Sequence, residues 1–157
     1  MKIHLWSIGK QHESYVKAGV EEFTARLNKY FPVEWKIIPS PKNAASISEK
    51  VLKKAEAENI LSLLHKDDFL VLLDERGKQF SSPQLAHFIQ QQANVSVKQM
   101  VFLIGGAFGV DEAVVKRANA AWSLSHLVFP HMLVRLIVAE QLYRACTILR
   151  NEKYHHQ

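Results

Sequence analysis

Residues 100–109, MVFLIGGAFG, decide the fold class of this chain. Five consecutive apolar residues are typical of a central strand in a parallel sheet, which is covered on both faces. The glycine-rich segment that follows at once indicates a sharp change of direction from a strand into a helix. A second apolar run, residues 69–73 (FLVLL), precedes the turn-rich residues 74–78 (DERGK). We therefore expect two buried strands, each followed by a loop.

The segments on either side of these runs alternate between strand and helix patterns. Their periodicities predict further strands at residues 2–8, 33–38 and 120–124, and helices at residues 13–28, 46–64, from 81, 111–117 and 131–149. Ser46 with Glu49 resembles a capping box, and Ser81 followed by Pro83 is a second helix start. This order predicts one α/β domain over residues 1–157, with a mainly parallel sheet flanked by helices.

Composition restricts the function class. The 157 residues carry a net charge of +5, which favours an anionic partner, with nucleic acid the first candidate. The lone Cys146 excludes an intramolecular disulfide framework and a multi-cysteine zinc site. It is expected to pack inside the last helix in a reduced cytoplasmic compartment. Apolar stretches fall well short of the roughly 20 residues that span a bilayer, so we expect no membrane partner.

Three loops are candidates for a ligand site, because ligands bind at the carboxyl ends of strands in open α/β sheets. These loops follow Leu73, Ile104 and Leu124. The glycine loop lacks the GxGxxG and GxxxxGK[ST] spacings, which disfavours a dinucleotide oxidoreductase and a P-loop. It is either a tight turn or a place where backbone approaches a ligand. Residues 125–131 (SHLVFPH) are either a buried connection or an apolar wall suited to an adenine ring.

The last predicted helix and the tail are also unusual. Thirteen of the helix's nineteen residues are hydrophobic and lie on more than one side, which predicts a homodimer interface. Arg135 within it is either functional or paired with Glu140 or a C-terminal partner. The tail, RNEKYHHQ, is either a frayed end or a segment that stacks on bases, contacts phosphate or moves a proton.

Several of these segments together carry a family resemblance. They are MKI at the start, VLLDERGK with SSPQLA, VFLIGGAFG, WSLSHLVFPHMLVRLIVAEQLYRA and the terminal KYHH. Over its whole length the chain resembles the RlmH family of SPOUT (trefoil-knot) methyltransferases, which act on large-subunit ribosomal RNA. LSHLVFPHMLVR with EQLYRA is the most specific part.

The resemblance implies a deeply knotted homodimer that binds S-adenosyl-L-methionine in the knot, an exception to the rule against knots. It implies methylation of N3 of a pseudouridine in 23S rRNA on the assembled ribosome, with no metal. The alternatives are a SPOUT methyltransferase for another RNA and a non-catalytic ribosome-binding protein. Carried over residue by residue, the cofactor contacts are Leu73, Gly105, Leu124, Ser125, His126, Leu127, Val128 and Phe129.

The expected chemistry requires a proton to leave N3 before its lone pair can attack. Candidate groups are His155, Tyr154, Arg135 and His131. We favour Tyr154 and His155 as catalytic residues that reach across the dimer, with Arg135 as orienting or electrostatic support. Two departures from the family pattern are Ala107–Phe108 in the glycine loop, where Phe108 could narrow the pocket or contact RNA, and His156, where a basic residue is common.

Overall fold

A computed structural model describes residues 1–156 and contains one five-stranded parallel sheet with the strand order β2-β1-β4-β3-β5. The strands are β1 (Lys2–Ile8), β2 (Val33–Ile38), β3 (Phe69–Gln79), β4 (Gln99–Ile104) and β5 (Ala120–Ser123). The helices are α1 (Ser14–Leu27), α2 (Glu49–Leu63), α3 (Ser82–Asn94), α4 (Glu112–Arg117) and α5 (His131–Leu149), with a short 3₁₀ turn at Ala44–Ser46. The predicted α/β class is confirmed; Gln157 lies outside the described residues.

Two hydrophobic clusters cover the two faces of the sheet. On one face, Leu5 and Phe102 pack with residues of α1, α3 and α5, such as Leu85 and Leu142. On the other face, Leu103 packs with residues of α2 and α4. The central strands therefore bury side chains on both faces, which is why residues 69–73 and 100–104 are continuous apolar runs.

Helix α5 lies between α1 and α3 against the sheet. Its apolar residues therefore find cover on several sides within one chain, and this accounts for part of the pattern that predicted a dimer interface. Cys146 is buried in α5, as expected, and burial raises the pKa of its thiol to about 12. A thiol held protonated in this way is a poor nucleophile.

Two local predictions were wrong. The helix α2 starts two residues later than expected: Ser48, not Ser46, accepts the backbone N–H of Val51 as the N-cap. Strand β3 does not end at Leu73 but extends to Gln79, where it pairs with Ser123. By contrast, the helix start at Ser81 is confirmed, with a reciprocal capping box between Ser81 and Gln84.

Candidate functional site

A cavity of about 810 Å³ opens at the carboxyl ends of β3, β4 and β5. This volume falls within the roughly 300–1,000 Å³ of small-molecule sites. Because these strands are adjacent in the sheet, the three loops selected from the sequence meet here. We call it the edge cavity; its walls are residues 73–76, 104–110, 124, 125 and 127–131, together with Lys53, Trp122 and Val134.

The first wall is a four-residue excursion in β3. Leu73 and Lys78 both align with Trp122 of β5, so the residues between them leave the ladder and project at the cavity. Asp74 holds this excursion closed, since its carboxylate accepts the Arg76 backbone N–H at 2.9 Å and the Arg76 Nη2 at 2.9 Å. Hydrogen bonding from the Arg76 side chain lowers the pKa of Asp74, so the carboxylate stays charged.

Gly77 is the last residue of the excursion, and it lies where no side chain fits. A Cβ on Gly77 would lie 2.6 Å from the carbonyl carbon and oxygen of Ala121, and 2.8 Å from the backbone nitrogen of Trp122. Atoms of the β5 backbone cannot swing aside as a flexible side chain could. Glycine at this position is therefore what lets β3 return to β5 after the excursion.

The second wall is the glycine loop after β4. Gly109 has a φ of +80° and donates its N–H to the Gly106 carbonyl at 3.1 Å, which makes a tight hairpin. A Cβ on Gly106 would lie 3.2 and 3.3 Å from the two carboxylate oxygens of Glu56. Glu56 of α2 is itself buried, and burial raises the pKa of its carboxyl group. Its hydrogen bond from the Ser40 hydroxyl is long, at 3.5 Å.

The third wall is the segment between β5 and α5. Ser125 organises it, because its hydroxyl accepts the Leu127 backbone N–H at 3.0 Å and its carbonyl accepts the Ser123 hydroxyl at 3.1 Å. Leu127 and Val128 are 70% and 82% exposed, although both line the edge cavity. Such exposed apolar side chains at a cavity mouth offer a surface that a ligand or a second protein can cover.

Seven of the eight residues carried over as cofactor contacts line the edge cavity. His126 is the exception among them. Of the four candidates for proton transfer, His131 is the one that the described residues place in the cavity wall. The walls offer glycine backbone, apolar side chains and a few charges, which suits a mostly apolar ligand with a polar end.

The tail folds back onto α5 and forms a second charged site. Glu140 of α5 accepts the Tyr154 phenol at 3.0 Å and the Arg144 Nη2 at 2.6 Å. Arg144 also lies over the Tyr154 ring, with its Cζ 4.6 Å from the ring centroid. Burial, and then the hydrogen bond to Glu140, raises the pKa of Tyr154. We call Glu140, Arg144, Tyr154 and His155 the tail cluster.

His155 joins this cluster through Arg144, whose Nη1 lies 3.3 Å from the His155 Nδ1. An arginine can only donate, so Nδ1 accepts and the ring carries its proton on Nε2. In this arrangement the Nε2–H of His155 is available as a hydrogen-bond donor. It can accept a proton only when the bond to Arg144 is exchanged.

Arg135 lies apart from the tail cluster. It is fully buried on α5, where its Nε donates to the Ser7 hydroxyl at 2.8 Å and its Nη1 to His12 Nδ1 at 3.3 Å. Its Nη2 has no hydrogen-bond partner within the described part of the chain. Glu140, considered as its partner, binds Arg144 instead. Burial lowers the pKa of Arg135, and burial with the nearby guanidinium lowers that of His12.

Sequence reasoning considered Glu140 as a partner of Arg135 and gave Arg144 no role, yet these two residues hold the two tail residues. The signal was present as an i,i+4 acid–base pair on one helix. Over residues 1–156 there is no group of three or more His, Cys, Asp or Glu that could hold a metal ion, and no helix long and apolar enough to cross a membrane.

Comparison with known proteins gives concordant matches. The sequence model of the family described as "Predicted SPOUT methyltransferase" matches residues 1–155. The chain is 47% identical over 156 residues to a protein from Cytophaga hutchinsonii, covering 99% of this chain and all of the relative. It is 45% identical over 157 residues to one from Parabacteroides distasonis, covering both chains completely. Both relatives are named "Ribosomal RNA large subunit methyltransferase H".

A solved structure shows the same fold. It is titled "The structure of a probable methylase family protein from Haemophilus influenzae Rd KW20". The match has a TM-score of 0.54 and 14% identity, and it covers 99% of this chain and 70% of the other.

Proposed function

Because this chain belongs to the SPOUT methyltransferase family, we propose that it is an enzyme that methylates large-subunit ribosomal RNA with S-adenosyl-L-methionine as donor. The specific target is N3 of a pseudouridine in 23S rRNA, presented by the assembled ribosome. The full-length identity to relatives named as rRNA methyltransferases carries the proposal. The cytoplasm, where ribosomes are found, is its place of action.

The edge cavity supports the choice of cofactor. S-adenosylmethionine supplies an electrophilic methyl group on a sulfonium. Its adenine requires an apolar slot with backbone hydrogen-bonding groups, which the loop from Leu124 to Phe129 offers. Gly105 and Leu73 also line the cavity and are further proposed contacts. Ser125, His126, Leu127 and Val128 complete the proposed cofactor contacts.

The reaction balances without a metal. A base takes the N3 proton, and the N3 lone pair forms a bond to the methyl carbon as the carbon–sulfur bond breaks. The sulfur leaves as a neutral thioether. This in-line displacement needs positioning above all, which a preformed cavity supplies.

His155 is the proposed proton acceptor. Tyr154 is proposed to contact the substrate beside it. The raised pKa of Tyr154 keeps the phenol protonated, so it donates a hydrogen bond rather than accepting a proton. Arg135, behind β1, is the proposed electrostatic support. His155 must leave the Nη1 of Arg144 before Nδ1 can accept a proton.

A homodimer of single domains with a trefoil knot completes the proposal. The tail cluster and the edge cavity share no lining residue within the described chain. A tail that serves a second copy's cavity would bring the two together. The exposed Leu127 and Val128 at the cavity mouth are available to be covered in such a dimer.

Mass spectrometry of large-subunit rRNA from cells that lack this gene tests the substrate. We expect one pseudouridine to lose its N3 methyl group and regain it when the gene is restored. An unchanged methylation pattern would refute the substrate. Calorimetry with S-adenosylmethionine then separates the enzyme from a non-catalytic ribosome-binding protein, since the latter would show no heat of binding.

A further inference from the structure

A second concave site lies beside the edge cavity, at the end of β3. It has a volume of about 400 Å³ and is lined by Lys78 and Phe80 and by Pro83, Gln84, His87 and Phe88 of α3. We call it the β3 groove. No residue in its lining takes part in the cofactor or proton chemistry proposed above.

The β3 groove combines flat aromatic surface with positive charge. The Phe80 and Phe88 rings are stacked, with centroids 5.2 Å apart and planes inclined by 26°. The Lys78 ammonium lies 5.4 Å from the centre of the Phe80 ring. Lys78 and His87 are exposed, and no Asp or Glu lines the groove among residues 1–156.

The β3 groove lies next to the edge cavity along β3. Arg76, which lines the edge cavity, is two residues along β3 from Lys78, which lines the groove. Trp122 lines the edge cavity, and its ring centroid is 6.5 Å from that of Phe80. An RNA strand that places one nucleotide in the edge cavity would therefore pass over Arg76 and Lys78 and reach the β3 groove with the next nucleotide.

We propose that the β3 groove binds an unpaired nucleotide of the RNA substrate next to the methylated one. The base packs against the Phe80–Phe88 wall and Lys78 contacts a phosphate. Aromatic surface beside a basic residue is the combination with which proteins hold single-stranded nucleic acid. RNA recognition favours loops whose bases can be splayed out in this way. This inference rests on the proposed function and adds an RNA contact to it.

The test is steady-state methylation of ribosomes by the full-length protein and by Lys78→Glu. We expect KM for ribosomes to rise about tenfold with kcat little changed, because one charge contact in binding is reversed. The slope of log KM against log salt concentration should become smaller by about one. Affinity for S-adenosylmethionine, measured by calorimetry, should stay within about twofold. Lys78→Arg should restore KM, since it keeps the charge.

Lys98→Glu is the matched control. Lys98 is exposed and precedes β4, at the amino ends of the parallel strands, whereas the groove lies at the carboxyl end of β3. Its replacement changes the net charge by the same amount. Equal KM values for Lys78→Glu and Lys98→Glu would overturn the proposal that the β3 groove binds RNA. So would a change in oligomeric state confined to Lys78→Glu, since the groove would then be an interface between copies. Failure of the unaltered protein to methylate ribosomes would instead refute the proposed function.

Discussion

The edge cavity and the tail cluster differ in what they are made of. The edge cavity is built from glycine backbone, apolar side chains and loops that leave three strands at one edge. The tail cluster is built from charged and titratable side chains on α5 and the last residues. One region is suited to hold a ligand and the other to move a proton. Separate substitutions should therefore remove binding and catalysis independently.

The largest effect should come from removing the chemistry of the tail. Tyr154→Phe with His155→Ala should lower the methylation rate by at least about 100-fold, because proton transfer is lost. Affinity for S-adenosylmethionine should remain. Single-turnover methylation and calorimetry measure the two quantities. Full activity in the double variant would refute the role of the tail, and loss of cofactor binding would refute the division between the regions.

A backbone clash in the cavity wall should have the next largest effect. Gly77→Ala places a Cβ against the Ala121 backbone and should cost about 3 kcal/mol of unfolding free energy, with weaker cofactor binding. Urea unfolding measures the cost. Gly109→Ala is the control: its Cβ would meet no atom within 4 Å, so the positive φ alone should cost about 1 kcal/mol. Equal costs would contradict the clash.

Loosening the tail cluster should have a smaller effect. Glu140→Gln weakens the bonds from Arg144 and Tyr154 and should lower the unfolding free energy by about 1 kcal/mol. The pKa of Tyr154 should fall, since Glu140 contributes to its rise. Ultraviolet titration follows the phenol. Glu22→Gln breaks the i,i+4 pair with Arg26 and should cost less, because solvent screens a pair that is this exposed. A similar loss of unfolding free energy in both variants would show that the tail cluster stabilises the protein no more than an exposed ion pair does.

The smallest effect concerns the carboxylate behind the glycine loop. Burial raises the pKa of Glu56 in the folded protein, so the folded state binds its proton more tightly than the unfolded chain does. The ionised carboxylate therefore destabilises the fold as pH rises above about 4. Glu56→Gln should raise the urea midpoint at about pH 7 and leave it unchanged at about pH 3. A lower midpoint at neutral pH would mean that the glycine loop uses the charge.

Local patterns located most of the elements and the three loops. Residues 69–73 and 100–104 predicted buried strands because burial on both faces leaves no polar positions. The extension of β3 to Gln79 was missed, since residues 74–78 have turn residues and the pairing partner is distant in sequence. The tail's partners were missed for a related reason: Tyr154 meets Glu140 only because the chain turns back after α5.

The sequence by itself determined the alternation of strands and helices, the glycine loop and the cap of α3, because these depend on neighbouring residues. It also carried the family resemblance. The tertiary structure alone decided that Gly77 must fit against Ala121, that Glu56 faces Gly106, and that Arg135 is buried on Ser7 and His12. These contacts join residues far apart in the chain, and only the folded chain fixes the distances between them.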